Sequence, residues 1–377
     1  MADRSMQTPS KSNLLCLPVE IRLQIYPYCC VSSTGSPRKF ELQVLQLCQQ
    51  IHNEAWPYFF AEYGRHQFWS LLEFITWVER APSPYVFRFV KKVCLRFSET
   101  TWDTICTHGK LDTNIISAFV TSLDSVRHVR TLQLDFRNHG DVWPKIGSSP
   151  SKRHHLHEQL CLEIVALKMG NVDSLDLACN VLDLDFLQSF HDLRYLRFSG
   201  YARTTSEKFL HIINTFTNLE RLELLHVTPQ LYLINNDDIS QNFAVSAAVL
   251  AAMTSPLKSI SVTYTDSDTG RTPPWFTVTW MKALLRHAKT LQYLKLHCYY
   301  QPMPVDVFWA LLDVLASLET QFLKHIELNL RVACVHPVPP TISSSLRLDA
   351  TKDHLVKICE LRQISDYREH PQEWTLL

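Results

Sequence analysis

Glycine is scarce in this chain of 377 residues: Gly35, Gly64, Gly109, Gly140, Gly147, Gly170, Gly200 and Gly270 are the only eight. The closest two stand seven apart. A dinucleotide fingerprint, a P-loop and a G-x-S-x-G nucleophile elbow all need closer glycines, where backbone bends sharply or approaches a phosphate. None can be written here, so three large enzyme classes lose their usual signatures. Charge of one sign is also lacking. The 37 basic and 37 acidic side chains balance, whereas nucleic-acid binders carry a basic excess to meet phosphates. No long apolar run occurs. The longest, Phe243 to Met253, is interrupted by Ser246 and falls short of the ~20 residues that span a bilayer. The start of the chain, MADRSMQTPSKSN, has no apolar signal core. A soluble protein of the cytoplasm or nucleus is expected, without membrane or nucleic-acid partners.

There is no C-x-x-C and no H-E-x-x-H. Eleven cysteines are scattered without a framework; Cys16, Cys48 and Cys161 sit among apolar neighbours and read as buried free thiols of a reducing compartment. His154, His155 and His157 form the one local histidine concentration. Neighbours in sequence do not share a helix face, so the expectation is a polar loop leading into a helix. Neither a metal nor a cofactor is expected, and catalytic residues are expected to be none.

What the chain does have is apolar periodicity. At 46% hydrophobic residues it can bury a large core. Residues 1–12 read as a tail. Residues 14–30 read as an amphipathic helix with Pro18 in its first turn, a stripe of Leu17, Ile21 and Ile25, and an end or kink at Pro27. Further helices are expected over about 40–56 and 71–80, with a short strand or turn at Phe68 and Trp69 and a boundary at 81–84.

After that boundary a hexamer recurs: apolar, two free positions, apolar, one free, apolar. It occurs as VKKVCL (90), VRTLQL (129), VDSLDL (172), LRYLRF (193), LERLEL (219), LKSISV (257), LQYLKL (291) and LKHIEL (323). A single copy means little, but eight separated by helix-like segments point to a repeating strand–helix unit. Thr204 to Glu207 has the pattern of a capping box. The segment 156–169 shows a stripe of Leu156, Leu160, Ile164 and Leu167, with Gly170 suited to the helix end. A further helix is expected over 305–318. Loops are expected at 137–155, 228–241, 264–274 and 335–345. The fold expected is α/β: a helical module over 13–80, then an irregular leucine-rich-repeat-like solenoid of parallel strands over 81–350, then a helix and tail over 351–377. The alternative is an open α/β sheet with helices on both faces.

In each hexamer the apolar residues should face the helices, so alternate positions line the opposite face. Those positions are Lys92 and Arg96, Gln133 and Asp135, Ser174 and Asp176, Tyr195 and Arg197, Arg221 and Glu223, then Tyr293, Lys295 and His297, and finally His325 and Glu327. Apart from Ser174 and His325, all of these form the expected target-binding set. Tyr195, Arg197 and Arg221 are its centre, because tyrosine and arginine combine contact area with directed hydrogen bonds.

The N-terminal block resembles the fungal F-box-like family of filamentous ascomycetes. The residues that carry the resemblance are Leu14 to Arg22 with Ile25 and Tyr26, then Leu45 to Ala55, then Pro57, Tyr58 and Phe59. It covers about residues 14–97. The resemblance implies docking onto the Skp-type adaptor of a cullin–RING ubiquitin ligase, through Leu17, Pro18, Ile21, Ile25, Leu47, Cys48 and Ile51, with the repeat region holding a protein target. Two positions depart from the family pattern: Gln49 stands where arginine is usual, and Pro27 falls near the end of the first helix. They are the support for an alternative, an interaction protein that joins no ligase. A third possibility is an enzyme on an unrecognised α/β fold. The apolar ridge could also pack on the protein's own second helix.

Overall fold

The computed structural model describes residues 14–30, 48–58, 66–81, 87–88, 90–97, 106–107, 110–136, 152–202, 204–226, 245–264, 273, 275–318, 322–332 and 344–351. The elements in chain order begin with α1 (Val19–Cys30), α2 (Gln49–Tyr58), β1 (His66–Phe68), α3 (Leu71–Glu79) and β2 (Lys92–Arg96). A two-stranded ladder of β3 (Cys106–Thr107) and β4 (Lys110–Leu111) follows, then α4 (Thr113–Ser125) and β5 (Thr131–Asp135). The middle comprises α5 (Lys152–Lys168), β6 (Ser174–Leu182), a 3-10 turn at Asp185–Ser189, β7 (Tyr195–Ala202), α6 (Ser206–Ile213) and β8 (Arg221–His226). The last part comprises α7 (Ala247–Ala252), β9 (Ser259–Tyr264), α8 (Val278–Ala283), β10 (Tyr293–Met303), α9 (Val305–Ser317), β11 (His325–Val332) and β12 (Ser344–Thr351).

Each of the eight hexamers becomes a strand, and each strand starts at the hexamer's third position. All the apolar hexamer positions are buried, none exposing more than 3% of its surface. Ten strands form one sheet in the order β1-β2-β5-β6-β7-β8-β9-β10-β11-β12. Every pair is parallel except β11 with β12. The order rises along the chain without reversal. Right-handed crossovers in such an order all fall on one side of the sheet, and the helices accordingly pack on one another in succession from α3 to α9. The expected alternative, helices on both faces, needs a reversal of strand order that this sheet does not have.

Register is held by a repeated device at the strand entrance. The carbonyl of the second hexamer position accepts two N–H groups from the next hexamer. Lys91 O accepts from Arg130 N at 2.9 Å and Thr131 N at 2.8 Å, and the same pair of bonds recurs through to Gln292 O, which accepts from Lys324 N and His325 N. One carbonyl of each hexamer thereby satisfies the backbone donors of both free positions in the next, which the approach to a parallel strand would otherwise leave unpaired.

Several expectations are corrected. Helix α1 does not end at Pro27 but runs to Cys30. The cap of α6 is Thr205, whose hydroxyl accepts from Lys208 N. Thr204 instead accepts from Leu184 N at 2.7 Å and donates to Asp183 at 2.9 Å. The buried face of α5 is not the leucine stripe: Leu160 and Leu167 are exposed, 42% and 77%, while Cys161, Leu162, Val165 and Ala166 are buried. The expected leucines compete with an adjacent stripe one position on. Gly170 answers to space: a Cβ there would lie 2.7 Å from Ser189 O. His154, His155 and His157 lie within α5, not in a loop before it. Residues 344 and 345 belong to β12, not to a loop, and Thr351 ends that strand. The sheet begins before the expected boundary at 81–84, since β1 pairs with β2. The first part of the expected helix at 40–56, and residues 352–377, lie outside the described residues.

Candidate functional site

The motif residues of the N-terminal block face two ways. Arg22, 6% exposed, donates from Nε to Glu54 Oε2 at 2.8 Å and from Nη2 to Glu54 Oε1 at 2.6 Å. Its Nη1 donates to the carbonyls of Leu15, at 3.3 Å, and Leu17. Tyr26, wholly buried, donates to Glu54 Oε2 at 2.8 Å, and Gln50 donates to Oε1 at 3.0 Å. This paired fork ties α1 to α2. Hydrogen bonds from Arg22 and then Gln50 hold the Glu54 carboxyl down at about 2. Burial and the bond to Glu54 push the Tyr26 hydroxyl up to about 12.

Outside this staple stands the apolar ridge. Leu17, Pro18, Val19 and Ile21 are exposed, Ile21 by 42%. Ile25 and Cys48 are half-buried. Ile51 is buried, 4% exposed, and with Ala55 joins the core; it supports the module from within. Leu47 lies outside the described residues.

The second surface is the sheet face turned away from the helices. Register aligns the third hexamer positions as Lys92, Thr131, Ser174, Tyr195, Arg221, Ser259, Tyr293 and His325. Two strands carry a tyrosine followed two residues on by a cation, and in both cases the next strand places a glutamate opposite that cation. In the first cluster Tyr195 donates to Glu223 Oε2 at 2.7 Å. Arg197 Nε lies 3.4 Å from Glu223 Oε1, and its Nη1 lies 3.5 Å from Asp176 Oδ2. In the second cluster Tyr293 donates to Glu327 Oε2 at 2.8 Å and Lys295 to Oε1 at 3.0 Å. His297 Nε2 lies 2.8 Å from the same Oε1, and the Tyr293 ring stacks on His325 at 5.0 Å.

Burial, then the bond to Glu223, pushes the Tyr195 hydroxyl up. For Glu327, burial alone would raise the carboxyl, but the bonds from Lys295 and Tyr293 outweigh it and the net shift is downward. Each carboxylate is engaged by donors from the neighbouring strand.

The remaining expected residues share this face but not these clusters. Arg96 lies over the Trp69 ring at 4.2 Å, and Gln67, with its amide turned to match, accepts from Arg96 Nη2 at 2.8 Å. Lys92 and Gln133 are half-buried, and Asp135 is buried at 2% exposure. Arg221 is exposed. The sequence reading passed over β9, whose outward residues are Ser259, Ser261 and Thr263. Ser259 and Ser261 occupy the same hexamer positions as the charged residues of the other strands, and Thr263 follows one position beyond the hexamer, as His297 does.

Among the described residues no group of three His, Cys, Asp or Glu side chains is placed to hold a metal ion. No helix among them is long and apolar enough to cross a membrane. Together the fold and its two surfaces define an α/β protein built on one largely parallel sheet. No family model matches the chain, and a search of curated proteins finds no match.

Proposed function

We propose that this protein is a non-catalytic binding receptor, the substrate-recognition subunit of a Skp–cullin–F-box type ubiquitin ligase. In this reading α1 and α2 form an F-box-like module and the sheet with its helices is a leucine-rich-repeat-like solenoid. The observation that carries the reading is the division within the N-terminal motif. Arg22, Tyr26, Glu54 and Ala55 turn inward and fasten the two helices. Leu17, Pro18, Val19 and Ile21 stay outside as a contiguous apolar ridge, which water disfavours and a partner groove would cover. The clusters on the sheet face fit recognition better than proton transfer, because Glu223 and Glu327 already engage fixed donors.

The test is a titration of a purified Skp-type adaptor with the full chain and with the Leu17→Ala, Pro18→Ala double variant. Loss of adaptor binding with an unchanged melting temperature is expected, since both side chains are exposed. Equal binding by the double variant would remove the docking assignment. A stable full chain that captures a protein target but does not bind the adaptor would favour the interaction protein that joins no ligase.

A further inference from the structure

Charge is unevenly spread over the end of the sheet where the strands begin. A tight turn precedes each of the first four hexamers, its last N–H bonded to the carbonyl three residues back. The bonds run from Val90 N to Phe87 O at 3.1 Å, Val129 N to Val126 O at 2.9 Å, Val172 N to Met169 O at 3.2 Å and Leu193 N to Phe190 O at 3.4 Å. Both ends of every turn are buried. Within the first turn stands Arg88, and within the second stand Arg127 and His128, all three exposed. The next two turns hold Gly170 with Asn171, then His191 with Asp192.

The second hexamer positions extend the contrast. Backbone bonds set them side by side as Lys91, Arg130, Asp173, Arg194, Glu220 and Lys258. From Arg130 to Lys258 cation and anion alternate, and Lys258 meets Glu220 at 3.0 Å. Lys91 and Arg130 break the alternation. Their backbones are one strand spacing apart, about 4.8 Å, and like charges opposed across two strands are unfavourable. Lys91 and Arg130 are exposed, and Lys92 beside them is half-buried. Six basic side chains thus occupy 87–92 and 126–131, and neither segment contains an acidic residue. Lys91, Lys92, Arg127, His128 and Arg130 make no ion pair or side-chain hydrogen bond among the described residues. Arg127 and His128 follow the C-terminal end of α4, where a cation is favoured. Lys91, Lys92 and Arg130 lead into strands, whose net dipole is small, so the helix end does not account for them.

A concentration of one sign on a chain of zero net charge attracts the opposite sign. The patch is compact. Asp173 closes it on the β6 side, and beyond that the rim is of mixed sign. A long polyanion crossing the rim would meet Asp173 and Glu220, and no exposed aromatic among the described residues of the two segments offers a surface for base stacking. A short run of carboxylates fits within these bounds. We infer that the entrance to β2 and β5 binds a short acidic segment of a partner protein. The ridge on α1 shares no residue with this patch, so the inference stands apart from adaptor docking.

The experiment titrates the full chain into three labelled probes at 50 mM salt, followed by fluorescence anisotropy. They are a 12-residue peptide of alternating glutamate and serine, the same peptide with glutamine for glutamate, and a 12-nucleotide single-stranded DNA. The acidic peptide should bind, more weakly as salt rises, and the glutamine peptide should not. The Lys91→Glu, Arg130→Glu double variant should weaken the acidic peptide by about tenfold or more, the loss expected when charge-assisted contacts are removed. A second double variant, Lys289→Glu, Lys324→Glu, makes the same change in net charge at two exposed lysines elsewhere and should bind as the unaltered chain does. If circular dichroism shows the first variant unfolded, Lys91→Gln, Arg130→Gln decides in its place. No binding of the acidic peptide, equal losses in the two charge-reversed variants, or tighter binding of the DNA than of the peptide would each overturn the inference.

Discussion

At the residue scale, Arg22 and Glu54 show how little a motif read along the chain says about contacts. The two stand 32 residues apart, and no local pattern pairs them. In the structure Arg22 is 6% exposed and spends its fork on Glu54 and two carbonyls. Removing one member would leave the other without its charge partner in a place poor in water. Glu54→Gln should therefore loosen α1 and α2 while the sheet stays intact. Hydrogen exchange should show lost protection over 19–30 and 49–58 and none over β6 to β10; uniform loss would mean that module and sheet unfold together. The same pair sets an acid response. The Glu54 carboxyl lies at about 2, below its ordinary 4.5. A carboxyl depressed on folding stabilises above its unfolded value, and that contribution is lost as pH falls through the folded value. The module should thus come apart between about pH 4.5 and pH 2, and Glu54→Gln should abolish that transition.

At the scale of elements, two adjacent threonines separate capping from repeat-to-repeat bonding. Thr205 caps α6, and its replacement by alanine should cost about 1 kcal/mol. Thr204, 2% exposed, satisfies the buried Leu184 N–H. Thr204→Ala leaves that donor unpaired and should cost more, about 1–3 kcal/mol. Denaturant melts of the two variants test the order; a larger loss at Thr205 would mean that the cap outweighs the buried bond from Leu184 to Thr204. Gly170→Ala forces a Cβ to 2.7 Å from Ser189 O. Backbone must shift, and overpacking of this kind costs about 1–3 kcal/mol. The α5 stripe illustrates the limit of periodicity. Leu160 and Leu167 fit a helical spacing as well as Cys161 and Val165 do, and only the position of the sheet selects the second set.

At the scale of the whole molecule, the sheet and its core run from β1 to β12 without a break in strand order. Because β1 belongs to the sheet and α3 packs on α4 through Phe74 and Phe119, removal of residues 1–80 should destabilise the remainder more than removal of residues 1–60. Melting temperatures of the two truncations would show it, and equal values would place the boundary at 81 as the composition suggests. Each strand pairs with its immediate neighbours in the sheet, so a cavity beneath one strand should be felt locally. Leu196→Ala, at a side chain 1% exposed, should cost about 2–5 kcal/mol, with hydrogen exchange rising first in β6, β7 and β8.

The sequence by itself determined the strands. Eight hexamers alternate with a period of two, and a period of two allows only one face to be apolar, so strand position, start and inward residues were all legible. It also placed the tyrosines, cations and glutamates of the sheet on one common face. Which of them meet was decided by tertiary register: Tyr195 with Glu223 and Tyr293 with Glu327 lie 28 and 34 residues apart. No local pattern carries that pairing, because the connecting segments differ in length while the register across the strands is kept by backbone bonds. The pairing of β1 with β2 and the antiparallel strand β12 also came only with the sheet, because a strand's neighbours are chosen by backbone bonds between segments distant in the chain.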